Sequence, residues 1–430
     1  MSRPAFLPAF RSVFNPLLTA AALLSTASFA FATQTQPQTP SQTHPQSTAP
    51  AQTVAAQVEK PACAGDLNIW LEGVITEAKA AGVSDKTIAE LHKASIDERT
   101  LSRDRTQTVF NLTFAEFSKR LISEQRLKKG RENLVKYADI FKKAEDTYGV
   151  PGPVIAAFWG LETDFGAIQG DFDTLNSLVT LAHDCRRPEL FRPQLLALLQ
   201  LMDKGVVDAG TMGAWAGEIG QMQLLPKDYL ERGVDGDNDG KVDLRNSVAD
   251  AVMTAARMLS ELGWQRGEPW LEVVQLTQDL PWENSIRTYR LPHSKWNSWG
   301  VKSVNGSPLG ADDGDASLLI PMGRKGPSFL SYRNFDIFVE WNKSIVYATT
   351  AAYFATRLAG GEPFLIGTPE AGLSTDELKE LQNKLVVRGY DMGRIDGVFG
   401  TMTRDAVRTE QLRLGMPADS WPTRELLEKL

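Results

Sequence analysis

Residues Val150 to Gly166, V-P-G-P-V-I-A-A-F-W-G-L-E-T-D-F-G, place an acid where a folded chain can least easily hide one. Pro153 suits the first turn of a helix, where its missing N–H costs no bond, and Gly166 suits the position just past the end. Between them Val154, Ile155, Ala156, Ala157, Phe158, Trp159 and Leu161 make the helix apolar on every side, the mark of a buried element. Glu162 falls near its C-terminal end, with Asp164 two positions on. Residues two apart do not share a helical face, so the two acids are expected to point in different directions. Burial and the negative end of the helix dipole both disfavour a charged carboxylate. A glutamate so placed suits a general acid working near neutral pH. The same features fit a structural glutamate neutralised by an arginine or capped by backbone N–H groups.

With 430 residues the chain has room for two or three domains. A net charge of −7 argues against a general nucleic-acid binder. Beyond the N-terminus no apolar run approaches the ~20 residues of a membrane span. Residues 1–32 read as a secretory signal: Arg3 and Arg11, an apolar run Leu17–Leu24, and Ala30-Phe31-Ala32 as the cleavage site. No cysteine follows that site, so a lipid anchor is not expected. In an exported chain the two cysteines, Cys63 and Cys185, are expected to form one disulfide; the other reading is a pair of buried thiols.

Residues 33–60, rich in Gln, Thr, Pro, Ser and Ala, read as a disordered tether. Apolar spacing of three and four predicts helices over Leu67–Ala81, Ser84–Lys93, Arg131–Tyr148, Arg192–Met202, Ser247–Leu262, Trp270–Leu276 and Ile345–Ala359. From about Leu280 to Asp336 the composition turns to Gly, Pro, Ser, Trp and Asp, with short β-like runs such as Ser317–Ile320. Loops of that length within a domain tend to be functional. Helical periodicity resumes after residues 363–372, read as a linker. The expected architecture is mainly α: a helical domain over 61–362 and a small unit over 373–430.

Three further runs bear chemistry. D-G-D-N-D-G-K-V-D-L-R-N, Asp235 to Asn246, follows the calcium-loop pattern of an EF-hand. Asp235, Asp237 and Asp239 stand at alternate positions, Gly240 permits the sharp turn, Lys241 offers its carbonyl, and Asp243 is a further candidate ligand. Asn246 stands where a bidentate glutamate is usual, and Asp250 is the nearest replacement. Calcium fits this set better than magnesium, which keeps its waters. In G-A-W-A-G-E-I-G-Q-M-Q-L-L-P, Gly213 to Pro226, small residues flank Trp215, Gln221 and Gln223. Aromatic faces and amides suit a sugar, and a packed turn with Trp215 in the core is the alternative. Arg186 and Arg187 are either a carboxylate grip or a solvated basic face. Trp341, Asn342 and Tyr347, in W-N-K-S-I-V-Y, either line a carbohydrate groove or pack, with Ser344 as helix N-cap. Four scattered histidines lack zinc spacing, and nucleophile-elbow, P-loop and dinucleotide motifs are absent.

In order and spacing these runs resemble the lytic transglycosylase B family of bacterial cell-wall enzymes over roughly residues 63–360. F-W-G-L-E-T-D-F-G resembles its catalytic-glutamate segment, and the glutamine-rich, calcium-loop and W-N-K-S-I-V-Y runs resemble its other motifs. The C-terminal unit, with L-Q-N-K-L-V-V-R-G-Y and G-R-I-D-G-V-F-G-T-M-T-R-D-A-V, resembles the three-helix peptidoglycan-binding domain. The resemblance implies a lysozyme-like helical catalytic domain in the periplasm. It implies cleavage of the β-1,4 bond between N-acetylmuramic acid and N-acetylglucosamine without water, leaving 1,6-anhydromuramoyl ends. Glu162 would protonate the glycosidic oxygen, then take the proton of the muramoyl C6 hydroxyl as it attacks C1. Gln223, Asn342 and Tyr347 carry over as sugar contacts, with Gln221 and Trp341 beside them, and Arg186 and Arg187 as contacts to the peptide stem. Calcium would be structural, and the implied partners are glycan strands and cell-wall synthesis or division proteins.

The sequence also departs from the family. Ala214 stands where a serine is common, Phe117 where a tyrosine is expected, and Glu218 where an alanine is common. Glu410-Gln411 replaces Phe-Gln, and Asp419-Ser420-Trp421 replaces Asp-Gly. Two rival readings stand beside this one. A hydrolytic muramidase would need a second carboxylate (Asp164, Asp171 or Glu218) across the bond. In a wall-binding scaffold Glu162 would do no chemistry.

Overall fold

The computed structural model describes residues 63–105, 112–310 and 314–430, so the signal and tether expected over 1–60 lie outside the described residues. The helix Gly152–Thr163 is the axis of the fold. Pro151 and Pro153 start it, and eleven of its twelve residues are buried, Glu162 among them. Around it pack the helices Ile345–Leu358, Glu124–Lys136, Ala138–Tyr148 and Val248–Glu261. The chain leaves it through three successive left-handed residues, Asp164 (φ 52°), Phe165 (φ 60°) and Gly166 (φ 81°). Asparagine, aspartate and glycine tolerate that region; a phenylalanine there costs roughly 1–2 kcal/mol. Packing holds it, because the Phe165 ring occupies the space a side chain at position 160 would need: a Cβ on Gly160 would come within 2.7 Å of it.

Two expected helices differ. Arg131–Tyr148 is two helices, Glu124–Lys136 and Ala138–Tyr148, broken at Tyr137 (φ −111°, ψ 29°), whose ring packs 5.8 Å from that of Trp159. Apolar spacing runs on through the break, so periodicity does not register it. Trp270–Leu276 is not a helix: Leu271–Leu276 is the second strand of a four-stranded antiparallel sheet, ordered Val301–Ser303, Leu271–Leu276, Ser328–Ser331, Ser317–Leu319. Its run is too short for periodicity to separate strand from helix, and the β-branched pair Val273 and Val274 favours the strand. Leu271 pairs with Ser331 and Val274 with Ser303. The sheet has its own core of Val274, Trp282, Trp296, Val301, Leu318 and Leu330.

Three helices, Thr375–Val387, Thr401–Arg413 and Arg424–Lys429, form the C-terminal unit around Leu381, Leu385, Val407 and Leu426. Residues 363–372 do not hang free. The amide of Thr368 donates to the Lys325 carbonyl at 2.9 Å, and Phe364 packs 4.9 Å from Tyr353. No described helix is long and apolar enough to cross a membrane.

Cys63 and Cys185 are bonded, closing 122 residues of chain. In the chain-entropy model a loop of that length contributes about 5 kcal/mol, by restricting the unfolded state. Replacing both cysteines by serine is expected to lower the calorimetric melting temperature by several degrees without changing the folded spectrum; an unchanged melting temperature would contradict it.

Candidate active site

Glu162 is 3% exposed. Its Oε1 accepts two hydrogen bonds, from Trp341 Nε1 at 3.0 Å and from the Tyr347 hydroxyl at 2.7 Å. Both donors are neutral. Trp341 ends the helix Arg333–Trp341, and Tyr347 opens the helix Ile345–Leu358, where Ser344 Oγ caps its amide at 3.3 Å. The Trp341 ring also packs 4.5 Å from Phe158, one turn before Glu162. Asn342, between the two helices, is 1% exposed, and its Oδ1 accepts from the Ser344 amide at 3.0 Å. The structure thus brings Trp341 and Tyr347 onto the acid itself, with Asn342 shaping the turn that presents them.

Asp164 faces another way. Arg126 Nε donates to its Oδ1 at 3.1 Å, and Lys129 lies 3.4 Å from Oδ2. Asp171, its side chain 83% exposed, lies 4.0 Å from Arg99. Glu218 is buried.

The glutamine turn is not helical. Between the strand Met212–Gly213 and the helix Pro226–Arg232, residues 214–225 form a buried coil pinned by the bridge between Ile219 and Leu224. Its tightness depends on glycine: a Cβ at Gly213 would meet the Glu218 carbonyl at 2.2 Å, and one at Gly220 (φ 81°) the Leu244 carbonyl at 2.6 Å. Gln221 locks the turn to the central helix, accepting from Trp159 Nε1 at 3.0 Å on its side chain and from Thr163 Oγ1 at 2.7 Å on its carbonyl. Gln223 is also left-handed (φ 49°), held by its Nε2 donating to the Gly220 carbonyl at 2.9 Å and the Gln169 carbonyl at 3.2 Å. A non-glycine residue there stores about 1–3 kcal/mol, of a kind that collects at functional sites.

Arg186 and Arg187 both grip Asp104, a 1% exposed carboxylate on the helix Glu98–Arg105. Burial pulls the Arg187 guanidinium below its ordinary value, against the pull of Asp104. The expected stem contact is therefore already occupied: a ligand carboxylate would compete with one in place. Sequence reasoning had no means of pairing Asp104 with residues some eighty positions later.

In the calcium-like loop, carboxylate oxygens of Asp235, Asp237 and Asp250 lie within 4.8 Å of one another. Asp239 and Asp243 are turned to the loop's own amides, Asp239 Oδ1 accepting from Lys241 at 2.9 Å and Asp243 Oδ1 from Arg245 and Asn246 at 3.0 Å. Asn246 Nδ2 donates to Asp243 at 2.8 Å. Burial raises the Asp250 carboxyl above its ordinary value even though the Asp243 and Gly236 amides donate to it. Three converging oxygen donors, one of them buried, fit a hard divalent cation. Tyr229 braces the loop: its hydroxyl donates to the Val242 carbonyl at 2.8 Å and accepts from the Leu244 amide at 3.1 Å. Burial pushes that hydroxyl up to about 12, so it stays protonated.

Residues 66–356 match the model of the transglycosylase SLT domain, and 374–430 that of a peptidoglycan-binding domain. Over 240 residues the chain is 27% identical to membrane-bound lytic murein transglycosylase B of Escherichia coli K12, covering 55% of this chain and 65% of that protein. It is similar to crystal structures of SltB3 from Pseudomonas aeruginosa. The complex with NAG-anhNAM-pentapeptide shows TM-score 0.78 and 33% identity, over 85% of this chain and 99% of that one. The complex with NAG-NAM-pentapeptide shows TM-score 0.78 and 34% identity, over 85% and 100%. The structure of E. coli lytic transglycosylase Slt35 with calcium gives TM-score 0.58 at 25% identity, over 71% of this chain and 98% of that one.

The Tyr347 hydroxyl holds Oε1. A hydrogen bond to an ionisable group contributes about 1.5–3 kcal/mol. Tyr347→Phe is expected to keep the fold and lower kcat roughly tenfold to a hundredfold. Steady-state assays on glycan substrate check this, and an unchanged kcat would reduce the hydroxyl to a packing role.

Proposed function

We propose a function from one premise: the chain belongs to the transglycosylase SLT domain family. It is a peptidoglycan lytic transglycosylase, a carbon–oxygen lyase that cleaves between N-acetylmuramic acid and N-acetylglucosamine and leaves 1,6-anhydromuramoyl ends. The observation that carries this is Glu162, buried on an apolar helix with its Oε1 held by the Trp341 indole and the Tyr347 hydroxyl. A protonated carboxyl there gives its proton to the glycosidic oxygen. The carboxylate left behind takes the proton of the muramoyl C6 hydroxyl as that oxygen closes on C1. The substrate's own N-acetyl group stabilises the cationic centre, in place of the second carboxylate of most glycosidases. Of the three acids that could serve a hydrolytic mechanism, Asp164 is engaged by Arg126 and Lys129, Asp171 is largely exposed, and Glu218 is buried in the glutamine turn. The relatives crystallised with muropeptides support the substrate class. The chain acts in the periplasm, with the secretory signal over 1–32 supporting export and the C-terminal domain binding the wall.

Digestion of purified sacculi is the test. Wild type is expected to release anhydro-ended muropeptides, identified by mass, and Glu162→Gln to bind sacculi but release none. Reducing ends would make it a muramidase; undiminished release by Glu162→Gln would remove the acid from the mechanism.

Asp235, Asp237 and Asp250 hold calcium, which braces the loop and supplies no catalytic step; the calcium complex of Slt35 supports the choice of ion. At a hundredfold excess over Kd a bound ion stabilises by about 2.7 kcal/mol. Calcium is expected to raise the wild-type melting temperature and a chelator to lower it, with Asp250→Asn insensitive to both. Equal responses in the two proteins would rule this site out.

A further inference from the structure

A chain of polar contacts runs from the C-terminal unit to the helix that presents Trp341. Arg404 and Arg408, on the helix Thr401–Arg413, reach out of their own unit: they donate to the Pro321 carbonyl at 2.9 Å and to the Glu283 carbonyl at 2.6 Å. Glu283 lies in the short turn Trp282–Asn284, whose Trp282 is anchored in the core of the sheet. Four residues on, Arg287 lies in the field of Asp405, the acid of the same C-terminal helix. Ser317 Oγ holds the Arg287 carbonyl at 2.6 Å, and the Arg287 guanidinium, together with that of Arg290, grips the Asp336 carboxylate. Two cations on one carboxylate leave a positive charge over, and Asp405 is there to answer it.

Asp336 stands in the first turn of the helix Arg333–Trp341, and Trp341 ends it. Five residues of helix separate them, roughly 7.5 Å of axis. Asn334 fastens the same turn elsewhere, its Nδ2 donating to the Gln265 and Glu268 carbonyls at 2.8 Å. Residues two apart face different ways, so Asn334 and Asp336 hold the turn on two sides and limit how the helix can rotate about its axis. Rotation matters at Trp341, whose Nε1 meets Glu162 Oε1 at 3.0 Å, because a hydrogen bond weakens steeply as its angle closes. We propose that the docked C-terminal unit, through Arg408 and Asp405 on its side and Arg287 and Asp336 on the other, positions the helix that presents Trp341 to Glu162. The unit is then part of how the acid is held, and Arg287 and Asp336 are positioning residues that act through Trp341. The inference rests on the reading of Glu162 as the catalytic acid.

The test reads the Trp341 indole directly, in the full chain labelled with nitrogen-15 tryptophan. Trp341→Phe identifies its N–H resonance among those of the ten tryptophans. Asp336→Asn and Arg408→Ala, at the two ends of the contact chain, are each expected to move that resonance upfield, as a weakened hydrogen bond does. Each is also expected to lower kcat on short glycan strands roughly threefold to tenfold while KM stays within about twofold. On the Trp341→Phe background Arg408→Ala is expected to cost nothing further, since the two act on one bond. The control is Arg413→Ala, on the same helix but paired with Glu410 inside the unit; it is expected to change neither reading. A resonance unmoved in either variant, moved equally by the control, or moved with kcat unchanged would each overturn the proposal, as would an undiminished loss on the Trp341→Phe background. If wild type makes no anhydro product, the transglycosylase reading falls, and the positioning is judged on the resonance alone: supported if both variants move it and the control does not, refuted otherwise.

Discussion

Two turns of one helix carry the whole arrangement. Trp159 and Thr163 hold Gln221 on one side, while Phe158 and Glu162 meet Trp341 on another. These contacts join segments that are 62 and 179 residues apart in the chain. Because the helix is apolar throughout, hydrophobic burial fixes its position, and the few polar atoms on it have to be answered by particular donors. Glu162 is answered by an indole and a phenol. Such partners orient a carboxyl without adding a positive charge that would hold it permanently ionised. The proposed role of Glu162, giving and then reclaiming a proton, fits partners of this kind.

The neighbouring acids are treated differently. Asp164 meets Arg126 and Lys129, and Asp104 meets Arg186 and Arg187. Each is a buried or half-buried carboxylate that is stable because a cation answers it. All three acids, Glu162, Asp164 and Asp104, sit on or beside helices of the same domain. The calcium-like loop joins the site through the backbone: the Gln221 amide donates to the Leu244 carbonyl at 2.8 Å, and Gly220 lies against that carbonyl. Any change in loop shape at Leu244 therefore reaches the turn that carries Gln221 and Gln223.

Much of this was legible because apolar runs and glycine spacing are local. The glutamate helix and the helical periodicity of the C-terminal unit could be read directly, while of the loop aspartates Asp235, Asp237 and Asp250 converge and Asp239 turns to the Lys241 amide. The partners could not. Nothing near Arg186 announces Asp104, and nothing near Glu162 announces that Trp341 and Tyr347 donate to it rather than line open groove. The strand Leu271–Leu276 was misread because a six-residue run cannot separate the two periods. One missed helix did carry a signal: Thr113 and Glu116 form a capping box before Phe114–Leu121, with the Thr113 amide donating to Glu116 at 2.9 Å.

The C-terminal unit shows why departures from a motif are worth following into the structure. Asp419 accepts from the Arg324 amide at 3.0 Å, and Trp421 donates to the Glu370 carbonyl at 2.9 Å. Trp421 is 5% exposed and closes over Gly323, where a Cβ would come within 2.7 Å of it. Between them Ser420 takes φ 61°, the conformation a glycine at that place would adopt freely. Arg404 and Arg408 reach the Pro321 and Glu283 carbonyls, at 2.9 and 2.6 Å. Of the residues that differ from the wall-binding signature, Trp421 docks the unit onto the rest of the chain, whereas Glu410 stays within the unit, accepting from Tyr390 and Arg413. Domains joined by a flexible tether move independently by default. Here Trp421 joins the catalytic core and the Thr368 amide bonds the Lys325 carbonyl, so the C-terminal unit packs with the catalytic domain in one compact unit. A tether would leave the unit free to move, whereas the contacts of Trp421, Arg404 and Arg408 hold it against the elements that carry Glu370, Pro321 and Glu283.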